Sequence, residues 1–492
     1  MNKLKLITFT VIGGLLIAVA GCNDILEDVE PSTSVSGEVV LTSEEGVNAL
    51  RTSMYNRVIG QFDYYTEYFV APSAFTDETR NRPGSTRYQG LNTAEGTFGT
   101  THIASWGSHY EVIQDANLLI GAIPDGVLDA ATLNRFRGEA LAMRAFAMHN
   151  LVKVYGYEPG NFDQGELEGN WDAGVIIRTE PTIDLSDADL RPRSSVTDVY
   201  AQILQDLSDA KGLLAGVNAN NTFVTEAFVD ALSARVNLYA GNWGAAVTSA
   251  QAAITNSGRS LASTAGDVAD MFDENIGGHP EAIFKGVVNP DTEGGGWGNS
   301  GPGTYTSTGF LAQLPTQFVV DKYEAGDFRL GWYRDCAAAQ RIALNQPTGC
   351  ADINTGGFSL VKFNGDKGNH VDDLPFIRIS EMYLIWAEAA AKDANDPNAA
   401  AGPLTTLRDA RNAGAVPAFA SITEMEDFVL DERIRELALE GHRFYDLKRL
   451  QRDIRNPDGT IKMFADSYRI LPQIGSGLIN VNPELVENPG YE

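Results

Sequence analysis

Apolar residues recur at spacings of three and four along most of this chain, a rhythm that predicts helices packed by one face. Ser43-Glu44-Glu45 opens the first helix, which carries Met54, Tyr55 and Val58. Trp106, Tyr110, Ile113 and Asn117 mark a second. Leu133 to Tyr155 has apolar residues around most of its circumference, among them Phe136, Met143, Phe146, Leu151 and Val154, so this helix is predicted to be buried. Gly156 ends it, as a glycine just past a helix often does. In a second block, about 195–256, Ser195 caps a helix carrying Val199, Ile203 and Leu207. Two more helices, about 225–240 and 243–255, meet across Gly241-Asn242-Trp243. The third block, about 376–450, has a pair at Tyr383–Lys392 and Asn398–Arg411, then one long helix from about Thr423 to Leu450.

Helix pairs with tight turns and small contact residues look like tetratricopeptide units, although no strict repeat is visible. The predicted fold is therefore mainly α: a tetratricopeptide-like scaffold of helical pairs with long irregular insertions. One module spans 41–492, with scaffold at about 41–156, 195–256 and 376–450 and ligand-presenting insertions at about 157–194 and 258–375. The insertions hold Gly294-Gly295-Gly296 and short strand-like runs such as Ala282-Ile283-Phe284. Irregular loops on a rigid scaffold are a usual way to present a binding surface. Trp106 and Trp243 fit helical faces and are expected in the core.

The first residues break this pattern. Lys3 and Lys5 precede an apolar run from Leu6 to Ala20, followed by Val19-Ala20-Gly21-Cys22. That is the layout of a cleaved secretory leader, 1–21, too short to span a bilayer comfortably. Small residues ahead of a cysteine resemble the bacterial lipobox, so Cys22 is expected to be lipidated and 22–40 to act as a tether to a membrane. The formal charge of −28 argues against nucleic-acid binding, because phosphate backbones would be repelled. Outside the cytoplasm the remaining cysteines, Cys336 and Cys350, are predicted to form a disulfide. Closing that loop of about 15 residues would add roughly 3 kcal/mol.

The stretch from Asp431 to Arg449, DERIRELALEGHRFYDLKR, closely resembles the C-terminal signature of the SusD/RagB family. Glu139 to Phe146, Ala234 to Tyr239, Ile379 to Ala389, Asn482-Pro483-Glu484 and Asn488-Pro489-Gly490-Tyr491 agree in order. The resemblance implies a surface lipoprotein of the outer membrane, facing the cell exterior. It would capture a nutrient, most often a glycan, and deliver it to a SusC-like TonB-dependent transporter. Peptide capture, or a structural lid for transporter assembly, are the alternatives. No enzyme and no cofactor are implied; a structural calcium ion occurs in some members, and no motif here locates one.

Glu432, Arg433, Arg435, Glu436 and Glu440 are read as architectural, paired at helical spacings. Arg144 and Glu388 lie in apolar helices and need buried partners. Gly296-Trp297-Gly298-Asn299-Ser300-Gly301 has dinucleotide-loop spacing, but Pro302-Gly303 follows where a helix would have to begin. The six histidines show no ligand spacing, and no Gly-x-Ser-x-Gly elbow occurs. Asp184, Asp187 and Asp189 lack the pattern of a calcium loop. No motif selects a carboxylate pair for glycoside hydrolysis. For sugar binding, an aromatic face beside Asn, Asp and Arg is wanted. The candidates are Asp77, Arg80, Asn81, Arg82 and Tyr88 after the first helix, Trp171 on one insertion, and Trp297, Asn299 and Tyr305 on the other.

Overall fold

The computed structural model describes residues 40–59, 66–93, 102–103, 106–160, 171–183, 186, 189–217, 220–273, 279–288, 312–335, 357–363 and 372–491. The leader, Cys22, Asp184, Asp187, Trp297, Asn299, Tyr305, Cys336 and Cys350 lie outside them. Helices dominate. The first half runs α1 (Glu44–Ile59), β1 (Thr79–Asn81), α2 (Trp106–Gly121), α3 (Ala130–Tyr155), α4 (Val196–Leu214), α5 (Glu226–Tyr239) and α6 (Trp243–Ser257). The irregular part carries β2 (Ala282–Gly286), β3 (Gln313–Pro315), β4 (Tyr333–Asp335), β5 (Phe358–Leu360) and β6 (Leu374–Arg378). Then follow α7 (Ile379–Ala394), α8 (Ala401–Ala410), α9 (Ile422–Leu437), α10 (Arg443–Arg449), β7 (Ile454–Arg455) and β8 (Ile461–Met463).

Each scaffold helix packs on the next. The file runs α1 on α2, then α3, α4, α5, α6 and α7, with α8 and α9 both against α7. The strands form only short antiparallel ladders: β1 with β3, β2 with β6, β4 with β5, and β7 with β8. Local chemistry starts the helices: at Ser195 as the sequence predicts, and at Asp129, a cap that the reading from Leu133 missed. Asp129 accepts the N–H of Ala131 at 2.9 Å and of Thr132 at 3.1 Å ahead of α3, and Ser195 Oγ accepts that of Asp198 at 3.0 Å ahead of α4. Helix α3 approaches α4 closely at Gly138, where a Cβ would stand 2.7 Å from Leu214 Cγ. Gly156 ends α3 as predicted, in an extended conformation with φ −126°. The site is tight for a side chain, since a Cβ would meet Val196 Cγ2 at 3.1 Å.

Phe146, Phe228, Phe284 and Phe376 pack at the centre of the main core, which joins α1 through α7 to β2 and β6. Trp106 is buried edge-on to Tyr155 at 4.9 Å. Trp243, expected inside, is only half-buried, with Lys392 Nζ 4.5 Å above its ring. The buried charges find partners. Arg144 grips Asp206 through Nε at 2.8 Å and Nη2 at 2.7 Å, and Arg449 grips Glu388 at 2.6 and 2.7 Å.

The predicted long helix over 423–450 is two helices. Leu439 (φ 60°) and Gly441 (φ 81°) are left-handed and separate α9 from α10. The break belongs to tertiary contact, because a Cβ on Gly441 would lie 1.8 Å from the Tyr68 carbonyl oxygen. The signature charges also pair differently from the helical-spacing reading. Of the five residues read that way, only Arg435 and Glu432 pair at helical spacing among the described residues, with Nε at 2.9 Å, while Arg433 reaches Asp446 at 2.6 Å. Glu436 instead accepts from Arg378 Nη1 (2.8 Å), Arg411 Nη2 (2.8 Å) and Arg329 Nη1 (3.0 Å). Glu440 takes Arg378 Nε and Nη2 at 2.8 Å and also Lys362. Burial pushes the Glu432 carboxyl up, but Arg329, Arg435 and Arg408 outweigh it and hold it at about 2. This network ties the signature helix to the irregular part, so it fixes where the loops sit.

Candidate functional site

The segment after α1 carries most of the described candidates. A wide π-helical turn, Thr66–Val70, and one α-helical turn, Ala71–Ala74, deliver the chain to β1, whose Arg80 pairs in register with Leu314 of β3. Beyond the strand, Arg82 donates its N–H to the Ala312 carbonyl at 2.8 Å and Asn81 Nδ2 reaches Ser85 O at 3.1 Å. Gln313 donates to Asn81 Oδ1 and accepts Thr79 Oγ1 at 2.7 Å, so the Asn81 amide is engaged in holding the turn. Tyr88 is left-handed at φ 62°, with the Arg87 guanidinium 5.3 Å from its ring. Arg80, Asn81, Arg82 and Tyr88 are all half-buried, and Arg80 lies against Gly357, where a Cβ would come within 2.9 Å of Nη2. The fold thus gathers cationic donors and one aromatic ring on a short, braced segment beside β3 and β5.

Asp77 stands apart from these. It is buried, and both its oxygens are taken by Arg443, from Nε at 3.0 Å and Nη2 at 2.9 Å. Beside it, burial raises the Glu78 carboxyl to about 7, with Asp77 adding to the rise and Arg443 opposing it. Glu78 Oε1 accepts the Leu439 N–H at 3.4 Å and its backbone carbonyl accepts Thr316 N–H at 3.0 Å. Asp77 and Glu78 therefore anchor the candidate segment to the break between α9 and α10. Lys462 adds a third tie, donating to Phe75 O at 3.2 Å and Thr76 O at 3.1 Å. Arg443, Glu78 and Lys462 escaped sequence reasoning; the signature was read there as uninterrupted helix.

Trp171 belongs to another neighbourhood. Its half-buried indole has the Arg193 guanidinium 5.7 Å away, and its Nε1 meets no acceptor among the described residues. Arg193 in turn holds Asn488 Oδ1 at 2.8 Å, so Trp171 sits by the C-terminal tail. Asp189 spends its carboxylate on Ser186, N–H at 2.9 Å and Oγ at 3.0 Å, and so fits a turn better than a calcium site. Trp297, Asn299 and Tyr305 lie outside the described residues, as do Asp184 and Asp187.

Comparison with known proteins now adds to this geometry. Residues 24–238 match a family model described as starch-binding, associating with the outer membrane, and residues 337–491 match that of the SusD family. A SusD-like protein of Formosa agariphila is 27% identical, with 100% of both chains covered. One from Bacteroides ovatus is 22% identical over 93% of this chain and 85% of its own. Among solved structures, a SusD superfamily protein of Bacteroides thetaiotaomicron superposes with a TM-score of 0.74 at 24% identity, covering 91% of this chain and 100% of that one. A laminarin-binding SusD-like protein superposes with a TM-score of 0.69 at 22% identity, covering 92% and 100%. With two of its family models lying in order along the chain, relatives aligned end to end, and the same helical architecture, this protein belongs to the SusD/RagB family.

Proposed function

We propose that the protein captures a glycan at the outer membrane without chemically changing it and hands it to a SusC-like TonB-dependent transporter. One observation carries the reading. The family model described as starch-binding and outer-membrane-associated covers 24–238, the stretch that contains Arg80, Asn81, Arg82 and Tyr88. The laminarin-binding neighbour supports it further. Arginine N–H groups can serve sugar hydroxyl oxygens, and an aromatic ring can serve the apolar face of the sugar. Trp297, Asn299 and Tyr305 on the glycine-rich insertion would complete the surface. Lipidation of Cys22 would hold the chain to the membrane facing outward; several acyl chains at roughly 0.8 kcal/mol per buried CH₂ make a firm anchor. Calorimetric titration with a panel of oligosaccharides and a panel of peptides tests the reading. Heat of binding from a glycan supports it. Binding of peptides alone would reassign the ligand, and stable copurification with the transporter but no ligand from either panel would favour a structural lid.

A further inference from the structure

In a chain with 65 acidic residues against 37 basic ones, the stretch 79–93 carries Arg80, Arg82 and Arg87 and no Asp or Glu, a local charge of +3. The strands beside it do not offset that charge. Strands β3 (Gln313–Pro315) and β5 (Phe358–Leu360) are uncharged, and in β4 Arg334 is balanced by Asp335. At the foot of the segment Asp77 is committed to Arg443. Glu78 is buried, with its carboxyl raised to about 7, so neither acid supplies a full counter-charge.

Backbone pairing aims two of the arginines the same way. Thr316 donates its N–H to Glu78 O at 3.0 Å and Arg82 donates to Ala312 O at 2.8 Å, so the β1–β3 ladder runs on to residue 82. Side chains alternate along a strand, which puts Arg80 and Arg82 on one face. Thr79 and Asn81, both bonded to Gln313, take the other. Arg80 is half-buried, and its Nη2 lies 2.9 Å from where a Cβ on Gly357 would stand, a place left open by a glycine at φ 126°. Elsewhere in this fold buried arginines meet carboxylates, as Arg144, Arg235, Arg378 and Arg411 do. Arg80 donates to no acceptor among the described residues, and its nitrogens stay open to solvent. Close by in the chain, Tyr88 holds a left-handed backbone at φ 62° that bulky residues seldom adopt, with the Arg87 guanidinium 5.3 Å from its ring.

We infer that this face selects acidic glycans, chains whose sugars carry carboxylate or sulfate groups, with Arg80 as the fork for the anionic group and Tyr88 as the platform for a sugar ring. A planar guanidinium takes the oxygens of such a group in pairs. Three arginines with no acid among them also gather anions at a surface that the rest of the chain would repel. A neutral sugar would leave the Arg80 charge without a counter-ion. The Tyr88 ring and the starch-binding family model over 24–238 favour a sugar over an acidic peptide. The inference rests on glycan capture and names the class of glycan.

Calorimetric titration of the full chain in detergent tests it with three sets of probes. The acidic set holds oligogalacturonate, oligomannuronate and sulfated carrageenan fragments; the neutral set holds malto-, laminari-, cello- and galacto-oligosaccharides; polyglutamate stands for an acidic peptide. The expected result is that an acidic oligosaccharide binds more tightly than every neutral one and weakens about tenfold between about 50 and 500 mM NaCl. Arg80→Gln should weaken it about tenfold, Arg80→Lys less, with unfolding temperatures unchanged because Arg80 bonds to no described residue. Preference for the uronates or for the sulfated fragments tells which anion the fork takes. Binding by neutral sugars alone would overturn the acidic class and leave glycan capture standing. An acidic sugar that binds equally well to Arg80→Gln would overturn the assignment to this face. Binding of polyglutamate alone, or of no probe, would count against both the acidic class and glycan capture. The panel and the salt response need no variant, so they decide the class even if a substitution disturbs folding.

Discussion

Replacing Glu436 by glutamine removes one negative charge from the centre of the signature network and little else. The side chain is fully buried and accepts hydrogen bonds from Arg329, Arg378 and Arg411. Glutamine keeps an acceptor oxygen but leaves those guanidiniums, each itself buried, short of a counter-charge. Breaking a buried ion pair by removing one partner costs about 3–5 kcal/mol, and Glu436→Gln is expected in that range. Glu111→Gln is the control. Its partner Arg57 is bound at 2.5 Å, but the Glu111 side chain is 50% exposed, and such surface pairs contribute about 0–1 kcal/mol. Urea unfolding followed by tryptophan fluorescence and circular dichroism measures both. The sign of the pH dependence follows from the same geometry. Burial raises the Glu436 carboxyl, but Arg411 and Arg378 outweigh it and hold it well below the ordinary range, as the arginines around Glu432 hold that group at about 2. Carboxyls depressed on folding stabilise fully above about pH 4.5, and the contribution fades as pH falls toward 2. The wild-type protein should lose stability across that window, and Glu436→Gln should lose less. A glutamine variant no weaker than Glu111→Gln, with an unchanged acid profile, would refute the assignment of this network as the brace between scaffold and loops.

Three further outcomes are expected. Glu78 has the opposite sign: raised to about 7 by burial, it destabilises the fold as pH rises from about 4.5 through 7, so Glu78→Gln should raise stability at pH 8 by on the order of 3 kcal/mol and leave it nearly unchanged at pH 4, read by urea unfolding at both values. Gly441→Ala should abolish folding or lower the melting temperature sharply, because its Cβ would be 1.8 Å from Tyr68 O at a φ of 81°; a melting temperature equal to wild type would mean that the break between α9 and α10 is not needed. Trp297→Ala should weaken glycan binding about thirtyfold in calorimetry with little change in melting temperature, since glycines on both sides cannot shield an indole; a large loss of stability would instead put the ring in the core.

Helix positions were legible because they depend on local periodicity and caps. Ser195 caps where its residue type and the following apolar rhythm say, and the need of Arg144 and Glu388 for partners followed from charge in an apolar helix. The partners themselves were not legible. Asp206 lies 62 residues from Arg144, and the arginines around Glu436 come from the turn after β3, from β6 and from the end of α8. Nothing in the spacing within the signature encodes those distant donors. The break at Leu439–Gly441 escaped for a related reason: its cause is the close approach of Tyr68, far off in sequence, while the local composition favours helix. The same holds at the candidate site. Residue type marked the segment 77–88 as polar and aromatic, but only packing separates Asp77, committed to Arg443, from Arg80 and Arg82 beside β3 and β5.

The most direct measurement is a crystal structure of the protein with the oligosaccharide that binds tightest in the titrations. The account predicts an intact, uncleaved sugar held at the surface that carries Arg80, Arg82 and Tyr88. A sugar bound elsewhere on the scaffold with this surface empty, or one recovered as hydrolysed fragments, would contradict it.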